Sequence, residues 1–310
     1  MIRIFKTEDG AVHQQDETST GCWVALTDPT ATEILEIADQ YHIDPDDLRA
    51  PLDEEERSRI EVEDDYTLIL VDIPLIEERN GKDWYETIPM GIVTTEEAII
   101  TVCLEDTAVL SAFMDGRVRN FHTYMKTRFI LQMLYKNAQM YLQYLRVIDK
   151  KSGEIEKKLH QSTKNQELIE LLELEKSLVY FNTSLKGNAL VMERLMRQDI
   201  LKRYPEDTDL LEDVIIENKQ AMEMCSIYRD IMSNTTDAFA SIINNNLNIT
   251  MKVLTALTVL FAVPTLVMTI WGINVPVPFE RQAWGFAAVC GISIILTLFA
   301  FVIMRRKNMF

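Results

Sequence analysis

The stretch VLTALTVLFAVPTLVMTIW, residues Val253–Trp271, contains no charged side chain. A second uncharged stretch, Gln282–Met304, follows after a short link. A helix needs about 20 apolar residues to cross the hydrocarbon core of a bilayer, and both stretches are long enough. Because a buried helix of a soluble protein seldom stays uncharged for that length, the two stretches predict two transmembrane helices rather than a buried soluble hairpin.

The residues that flank the two stretches predict their orientation. Arg305–Lys307 directly follow the second stretch, and basic residues beside a span are typical of its cytoplasmic end. With two spans, the N-terminal body is then cytoplasmic as well, and only the link at Gly272–Arg281 lies outside. Trp271 and Trp284 stand at the edges of this link, where interfacial aromatic rings are common. We therefore expect a multi-pass protein of the plasma (inner) membrane with both termini in the cytoplasm.

Charge is distributed unevenly along the 310 residues. The first 250 residues carry 26 basic and 47 acidic side chains, whereas residues 251–310 carry five basic and one acidic. An acidic body argues against nucleic acid as a partner, because phosphates require Lys and Arg. It suits surroundings that attract cations.

Cysteine and histidine positions give no sign of catalysis. The four cysteines are too far apart to form a ligand pair, which also favours a reduced compartment. The histidines are scattered, and the chain has no nucleophile elbow or phosphate loop. The four histidines are His13, His42, His122 and His160. We therefore expect that the protein is not an enzyme.

The character of the sequence changes from mixed α/β to helical along the chain. Strands are predicted at Cys22–Thr27, Tyr66–Ile73, Thr87–Thr94 and Ala98–Cys103, and Asn80-Gly81 predicts a hairpin turn between two of them. From about Arg117 helix formers dominate, and helical stretches are predicted at 129–148, 152–160 and 167–203, with a weak point at Lys186-Gly187-Asn188 in the last of them. No Pro or Gly occurs between Glu206 and Val263. The predicted fold is thus an α+β cytoplasmic domain followed by long α-helices and two transmembrane helices. The predicted parts are a cytoplasmic α/β domain (1–115), a helical bundle (116–204), a stalk helix (205–250), transmembrane helix 1 (251–271), an external loop (272–282), transmembrane helix 2 (283–304) and a basic cytoplasmic tail (305–310).

One face of the long helix is polar below the membrane and stays polar inside the first span. Two interpretations remain open for this face. Threonines and small residues mediate close helix packing in lipid, with the hydroxyl bonded to its own backbone; alternatively, they line a wet pore. One helix cannot enclose a pore, so the second interpretation requires a homo-oligomeric ring. The face continues at three- and four-residue steps through Asp237, Ser241, Asn244, Asn248, Met251, Thr255, Thr258, Ala262, Thr265, Thr269 and Gly272.

The polar groups on this face restrict the form in which a cation could pass. Neither span contains an acidic side chain, so a cation would meet hydroxyl, amide and carbonyl oxygens. Mg²⁺ loses its bound water reluctantly, and uncharged oxygens do not readily replace that water. We therefore expect that the ion crosses the membrane in its hydrated form.

Two motifs give the chain a family resemblance. Asn248–Thr255 reads Asn-Ile-Thr-Met-Lys-Val-Leu-Thr, and Trp271–Asn274 reads Trp-Gly-Ile-Asn before Val-Pro-Val-Pro-Phe. With two C-terminal spans and a basic tail, the chain resembles the CorA family of magnesium and divalent-cation transporters. The family signature is Tyr-Gly-Met-Asn after a helix with Asn-x-x-Met-Lys-x-Leu-Thr. The detailed resemblance covers roughly 245–280.

The resemblance implies a funnel-shaped homopentamer in which the first span of each subunit lines the pore. It assigns binding of the hydrated cation to Asn274, with Gly272 permitting the turn. Asn248 would form a polar ring near the cytoplasmic entrance, Leu254 a hydrophobic constriction and Thr265 a pore-lining hydroxyl. Family members close when cytoplasmic Mg²⁺ binds acidic residues between subunits, and Asp213 is a candidate for that role.

Departures from the signature leave the ion and one other class of function open. Ile273 replaces the family's Met and Trp271 replaces its Tyr, and Gly-Ile-Asn is also the loop of the zinc-transporting ZntB branch. The resemblance favours Mg²⁺, transported and regulatory, with Co²⁺, Ni²⁺ or Zn²⁺ as further candidates. A membrane-tethered scaffold or sensor that conducts nothing is the alternative from a different class.

Overall fold

The computed structural model describes residues 1–79, 81–161, 165–197, 200–201, 205–274, 282 and 284–307. It separates into two compact units, Met1–Thr236 and Asp237–Phe310. The elements in chain order are β1 (Ile2–Glu8), β2 (Ala11–Gln15), β3 (Cys22–Thr27), α1 (Ala31–Tyr41), α2 (Pro45–Arg49), a 3-10 turn (Ala50–Leu52), β4 (Arg59–Val62), β5 (Tyr66–Arg79), β6 (Lys82–Thr95), β7 (Ala98–Cys103), α3 (Ala108–Met114), α4 (Lys126–Gln161), α5 (Asn165–Arg197), α6 (Pro205–Trp271) and α7 (Gly285–Arg306).

A seven-stranded mixed sheet organises the first unit, in the order β2-β1-β3-β7-β6-β5-β4. Strands β3 and β7 pair in parallel. The hairpin of β5 and β6 pairs from Tyr66 and Thr95 to Arg79 and Lys82, which fits the predicted two-residue turn, although Asn80 itself lies outside the described residues. Both strands are longer than the sequence predicts, because their outer halves carry too many polar residues to stand out as apolar stretches.

Helix α1 covers one face of the sheet and begins at a capping box. The Thr30 side chain accepts from the Glu33 N–H, and the Glu33 carboxylate accepts from the Thr30 N–H, so two donors at the helix start are satisfied. The apolar face of α1, with Ile34 and Ile37, joins strand residues such as Leu26 and Leu68 in a buried core. This packing gives the short helix the tertiary support that its length requires.

Helices α4 and α5 attach to the sheet at a break in the β5–β6 ladder. Asp72 stands opposite Pro89, which has no N–H to donate across the ladder. Side chains of α4 and α5 donate the hydrogen bonds instead. Asn188 Nδ2 and Asn137 Nδ2 donate to the Asp72 carbonyl at 2.7 and 2.8 Å, and Tyr141 Oη donates to it at 3.2 Å. Asn188 Oδ1 also accepts from the Asp72 N–H at 2.8 Å. These bonds fix both helices to the middle of strand β5.

The helices are longer and more continuous than the sequence predicts. The predicted helices at 129–148 and 152–160 belong to the single helix α4, with Gly153 inside it. The predicted weak point at Lys186-Gly187-Asn188 stays helical in α5. A Cβ on Gly187 would lie 2.9 Å from Ser58 Oγ, so this glycine permits a close approach rather than a break.

The two predicted spans are largely exposed in the chain. Only 6% of the most apolar 18-residue window of α6 and 11% of that of α7 are buried. A core helix of a soluble protein would be mostly buried, so the exposure disfavours the soluble-hairpin alternative. Helix α6 begins at Pro205 and ends at Trp271 as one helix of 67 residues.

Candidate functional site

The predicted pore-lining residues lie on one exposed face of α6. Met251 and Leu254, at the start of the first span, are 57% and 63% exposed. Between Asp237 and Asn274 the only charged residue is Lys252, so this face carries hydroxyl, amide and apolar groups without a carboxylate. The residues on the exposed face are Asn248, Met251, Leu254, Thr255, Thr258, Ala262, Thr265 and Thr269.

Helix α7 packs against the opposite side of α6. The Trp271 and Phe286 ring centroids are 6.4 Å apart at one end of the pair. Ala256 is fully buried and Met304 is 5% exposed near the other end. Ala256 points away from Thr258 and Thr265, because residues two or nine positions along a helix lie on nearly opposite faces. The threonine face therefore remains open on the single chain.

The threonine hydroxyls donate to the backbone one turn before them. Thr255 Oγ1 donates to the Met251 carbonyl and Thr258 Oγ1 to the Leu254 carbonyl, both at 2.8 Å. Thr265 and Thr269 make the same bond at 2.7 Å. Each hydroxyl hydrogen is thus occupied, whereas the oxygen keeps its acceptor capacity. This geometry is the one that the helix-packing interpretation expects, and it equally presents a row of acceptors to a hydrated cation.

Apolar side chains border the threonine row on both sides. Phe261 and Leu266 are 73% and 62% exposed, and Ile270 is 58% exposed. With Thr258, Thr265 and Thr269 they line a shallow groove along α6. The sequence indicates that Phe261 and Leu266 lie on other faces of the helix, but it gives no sign that they stay uncovered.

The predicted external loop, which would form the outer mouth of the pore, begins just after the end of α6. The Gly272 N–H donates to the Met268 carbonyl at 2.9 Å, and a Cβ on Gly272 would lie 3.3 Å from that carbonyl oxygen. Glycine therefore relieves a tight approach to the last helical turn. Ile273 and Asn274 follow and are exposed. Residues 275–281 of the predicted loop lie outside the described residues.

Two acidic residues near the start of α6, Asp209 and Asp213, are exposed. Asp209 and Asp213 both face outward, one turn apart. Within the described part of the chain, no three His, Cys, Asp or Glu side chains are grouped so that they could hold a metal ion. A carboxylate pair on one chain lacks the six to eight oxygen ligands that a hard divalent cation takes, so these residues would need water or a neighbouring molecule to complete a site.

The chain resembles known proteins over nearly its whole length. A family model described as "CorA-like Mg2+ transporter protein" matches residues 18–306. The cobalt/magnesium transport protein CorA of Methanocaldococcus jannaschii is 27% identical over 296 residues, which cover 92% of this chain and 90% of that protein.

Solved structures share the fold. The complete structure of the CorA magnesium transporter from Methanocaldococcus jannaschii aligns with a TM-score of 0.84 at 25% identity, covering 100% of this chain and 99% of that one. The ZntB cytoplasmic domain from Vibrio parahaemolyticus aligns with a TM-score of 0.54 at 10% identity, covering 76% of this chain and 98% of that one; this likeness concerns the fold alone. The first alignment confirms the predicted fold class of an α+β body, long helices and two candidate membrane helices.

Proposed function

Because the chain belongs to the CorA-like Mg²⁺ transporter family, as the match over residues 18–306 establishes, we propose that it carries hydrated Mg²⁺ across the plasma membrane into the cytoplasm, down the membrane potential. Membership confirms the resemblance to the CorA family and the prediction that the protein is not an enzyme. The observation that carries the proposed route is the exposed face of α6 from Asn248 to Thr269, which lacks a carboxylate and leads toward Asn274.

The proposed path uses α6 from five copies of the chain, with the N- and C-termini in the cytoplasm. Asn274 binds the hydrated ion at the outer mouth, and Gly272 lets the chain turn there. Thr258, Thr265 and Thr269 then offer hydroxyl oxygens whose hydrogens are already bonded to the backbone. Because these oxygens accept from the ion's water, the ion keeps its hydration shell. Leu254 forms the constriction and Asn248 a polar ring at the cytoplasmic entrance.

Cytoplasmic Mg²⁺ is the proposed closing signal. Asp213 lies on the exposed side of α6, with Asp209 one turn earlier. Like charges at this spacing repel each other, and a divalent cation between neighbouring subunits would relieve that repulsion. The bound ion would hold adjacent α6 helices together and keep the path closed.

Selectivity is proposed to favour Mg²⁺, with Co²⁺ as a second passenger. The Methanocaldococcus jannaschii relative is named a cobalt/magnesium transport protein, which supports both ions. Ile273 in the Gly-Ile-Asn sequence is the feature that favours Zn²⁺, but the ZntB likeness is limited to the fold of a cytoplasmic domain. Ni²⁺ is a further candidate on chemical grounds alone.

Uptake by reconstituted vesicles tests the path. We expect the Asn274→Ala variant to lose Mg²⁺ uptake while the oligomer keeps its size, because the outer mouth loses its ligand for the hydrated ion. The matched control is Asn246→Ala, since Asn246 is an exposed asparagine on α6 that lies off the polar face. Uptake by Asn274→Ala at the wild-type rate would show that the pore assignment is wrong and would favour a non-conducting scaffold or a different path.

A further inference from the structure

Four basic residues gather at the end of the α6–α7 pair that is remote from Trp271 and Phe286. Lys252 precedes Trp271 on α6 by the same number of positions as Arg305 follows Phe286 on α7. The two helices run antiparallel from the contact between those rings, and each rises about 1.5 Å per residue. Lys252 and Arg305 are therefore level with each other, and Arg306 and Lys307 follow directly.

Lys252 lies beside the face of α6 that packs against α7. It stands one helical turn before the fully buried Ala256, so the two residues lie on adjacent parts of the helix surface. Asn248, one turn earlier, and Thr255, three positions later, flank Lys252 on its other side. Lys252 is therefore exposed at the border between the polar face and α7, level with the charges at the end of α7.

No acidic residue near in sequence balances this cluster. The nearest are Asp237, several helical turns before Lys252, and Glu280 in the link. Among the described residues, Lys252 and Arg305–Lys307 form no ion pair within 4.0 Å, and all four are exposed. Cations favour the C-terminal end of a helix, which accounts for basic residues at the end of α7. It does not account for Lys252, which lies far inside α6.

The cluster borders directly on apolar surface. Val253 is 40% exposed, and Phe301 and Val302 are 37% and 49% exposed, on the membrane side of the basic residues. A phospholipid is complementary to this arrangement, because its anionic headgroup can contact the basic residues while its acyl chains contact the apolar surface. Juxtamembrane Lys and Arg residues attract anionic lipids of the cytoplasmic leaflet.

We propose that Lys252, Arg305 and Arg306 form a binding site for the headgroup of an anionic phospholipid, whose acyl chains lie along the exposed apolar residues of α6 and α7. The site rests on the proposed topology, with these residues at the cytoplasmic surface. Its ligand is a bilayer lipid rather than a free phosphate, because the basic residues stand where the apolar surface of both helices begins.

Spin-labelled lipids test the site in the full-length protein. The chain is reconstituted in phosphatidylcholine vesicles with a trace of spin-labelled phosphatidylglycerol or spin-labelled phosphatidylcholine. The immobilised fraction of each label gives the preference of the protein for the anionic lipid. We expect a clear preference in the wild type, and a loss of about five-fold per neutralised charge in variants that combine Lys252→Gln, Arg305→Gln and Arg306→Gln.

Two controls separate charge from structure. Lys219→Gln removes an exposed charge from α6 outside the span and should leave the preference unchanged. Arg305→Lys with Arg306→Lys keeps the charge and should retain it. A wild type without preference, or a triple Gln variant that keeps it, overturns the proposal.

Two further measurements identify the ligand and separate this proposal from the transport proposal. Millimolar glycerol phosphate should leave the preference intact; its abolition would mean a free-phosphate site and would contradict a lipid site. Mg²⁺ uptake is measured in the same vesicles. Uptake without lipid preference in the wild type overturns the lipid site alone, whereas lipid preference without uptake overturns the transport proposal alone.

Discussion

At the residue scale, the threonines of α6 have their hydroxyl hydrogens bonded to the backbone and their oxygens exposed. Thr258 and Thr265 each donate to the carbonyl four residues before them. Such bonds are typical of Ser and Thr inside membrane helices, so they occur whether or not water lies beside them. Periodicity places the threonines on one face, but only the position of α7 shows that this face is open. Substitution of the threonines tests whether their oxygens contact the hydrated ion or serve helix packing only.

We expect that replacing Thr258, Thr265 and Thr269 by valine lowers Mg²⁺ uptake by about five-fold per residue, the equivalent of one net hydrogen bond of about 1 kcal/mol. Valine keeps the shape of threonine but removes the acceptor for the ion's water. Serine at the same positions keeps the oxygen and should retain most of the uptake. Initial rates in vesicles compare the two series. Equal rates for valine and threonine would mean that the hydroxyls serve helix packing only.

At the element scale, α4 and α5 are attached to the sheet through the backbone of Asp72. The side-chain carboxyl of the same residue is also largely buried, and this burial affects stability. Burial raises the pKa of the Asp72 carboxyl to about 6, against the opposing effect of the Ser184 and Ser58 hydroxyls. The ordinary value is 3.8. Between these two values the folded protein holds a proton that the unfolded chain has released. The free energy of unfolding therefore falls as pH rises through this window, by about 3 kcal/mol in full, and stays lower above it.

The Asp72→Asn variant tests this linkage, because Asn resembles the neutral carboxyl. We expect the variant to raise the apparent melting temperature of the full chain by several degrees at about pH 7.5 and hardly at all at about pH 4. The exposed Asp64 provides the matched control in Asp64→Asn. The same shift at both pH values would indicate a packing effect and contradict the pKa argument.

The sequence predicts some elements well and others poorly for physical reasons. Strands β3 and β7 are mostly apolar because both of their faces are buried, and they match the predicted limits. Strand β2 lies at the edge of the sheet and is polar, so it has no apolar signal. The bonds between Asp72 and Asn188 join residues 116 positions apart, and nothing local to either residue indicates them.

At the scale of the whole molecule, the proposed ring converts an exposed face into a path and brings Asp213 of each copy near a neighbour. The resemblance supplies the pentamer, since the periodicity of α6 asks only for a ring. The identity of the ion follows from neither periodicity nor burial, because hydroxyl and amide oxygens accept from the water of several divalent cations.

Regulation by cytoplasmic Mg²⁺ gives a prediction at this scale. We expect Asp213→Ala to raise the Mg²⁺ concentration that half-closes the transporter, because each intersubunit site loses a carboxylate. Uptake measured at increasing Mg²⁺ on the cytoplasmic side gives the closing curve. Glu223→Ala, which removes an exposed carboxylate elsewhere on α6, should leave the curve in place. An unchanged curve for Asp213→Ala would remove Asp213 from the regulatory site.

The most direct test of Mg²⁺ transport is the flux of Mg²⁺, Co²⁺, Ni²⁺ and Zn²⁺ into vesicles that contain the full-length protein, compared at one fixed membrane potential. The proposed path predicts Mg²⁺ flux that increases with an inside-negative potential, accompanied by Co²⁺ flux and independent of a proton gradient. Zn²⁺ flux driven by a proton gradient, without Mg²⁺ flux, would contradict it.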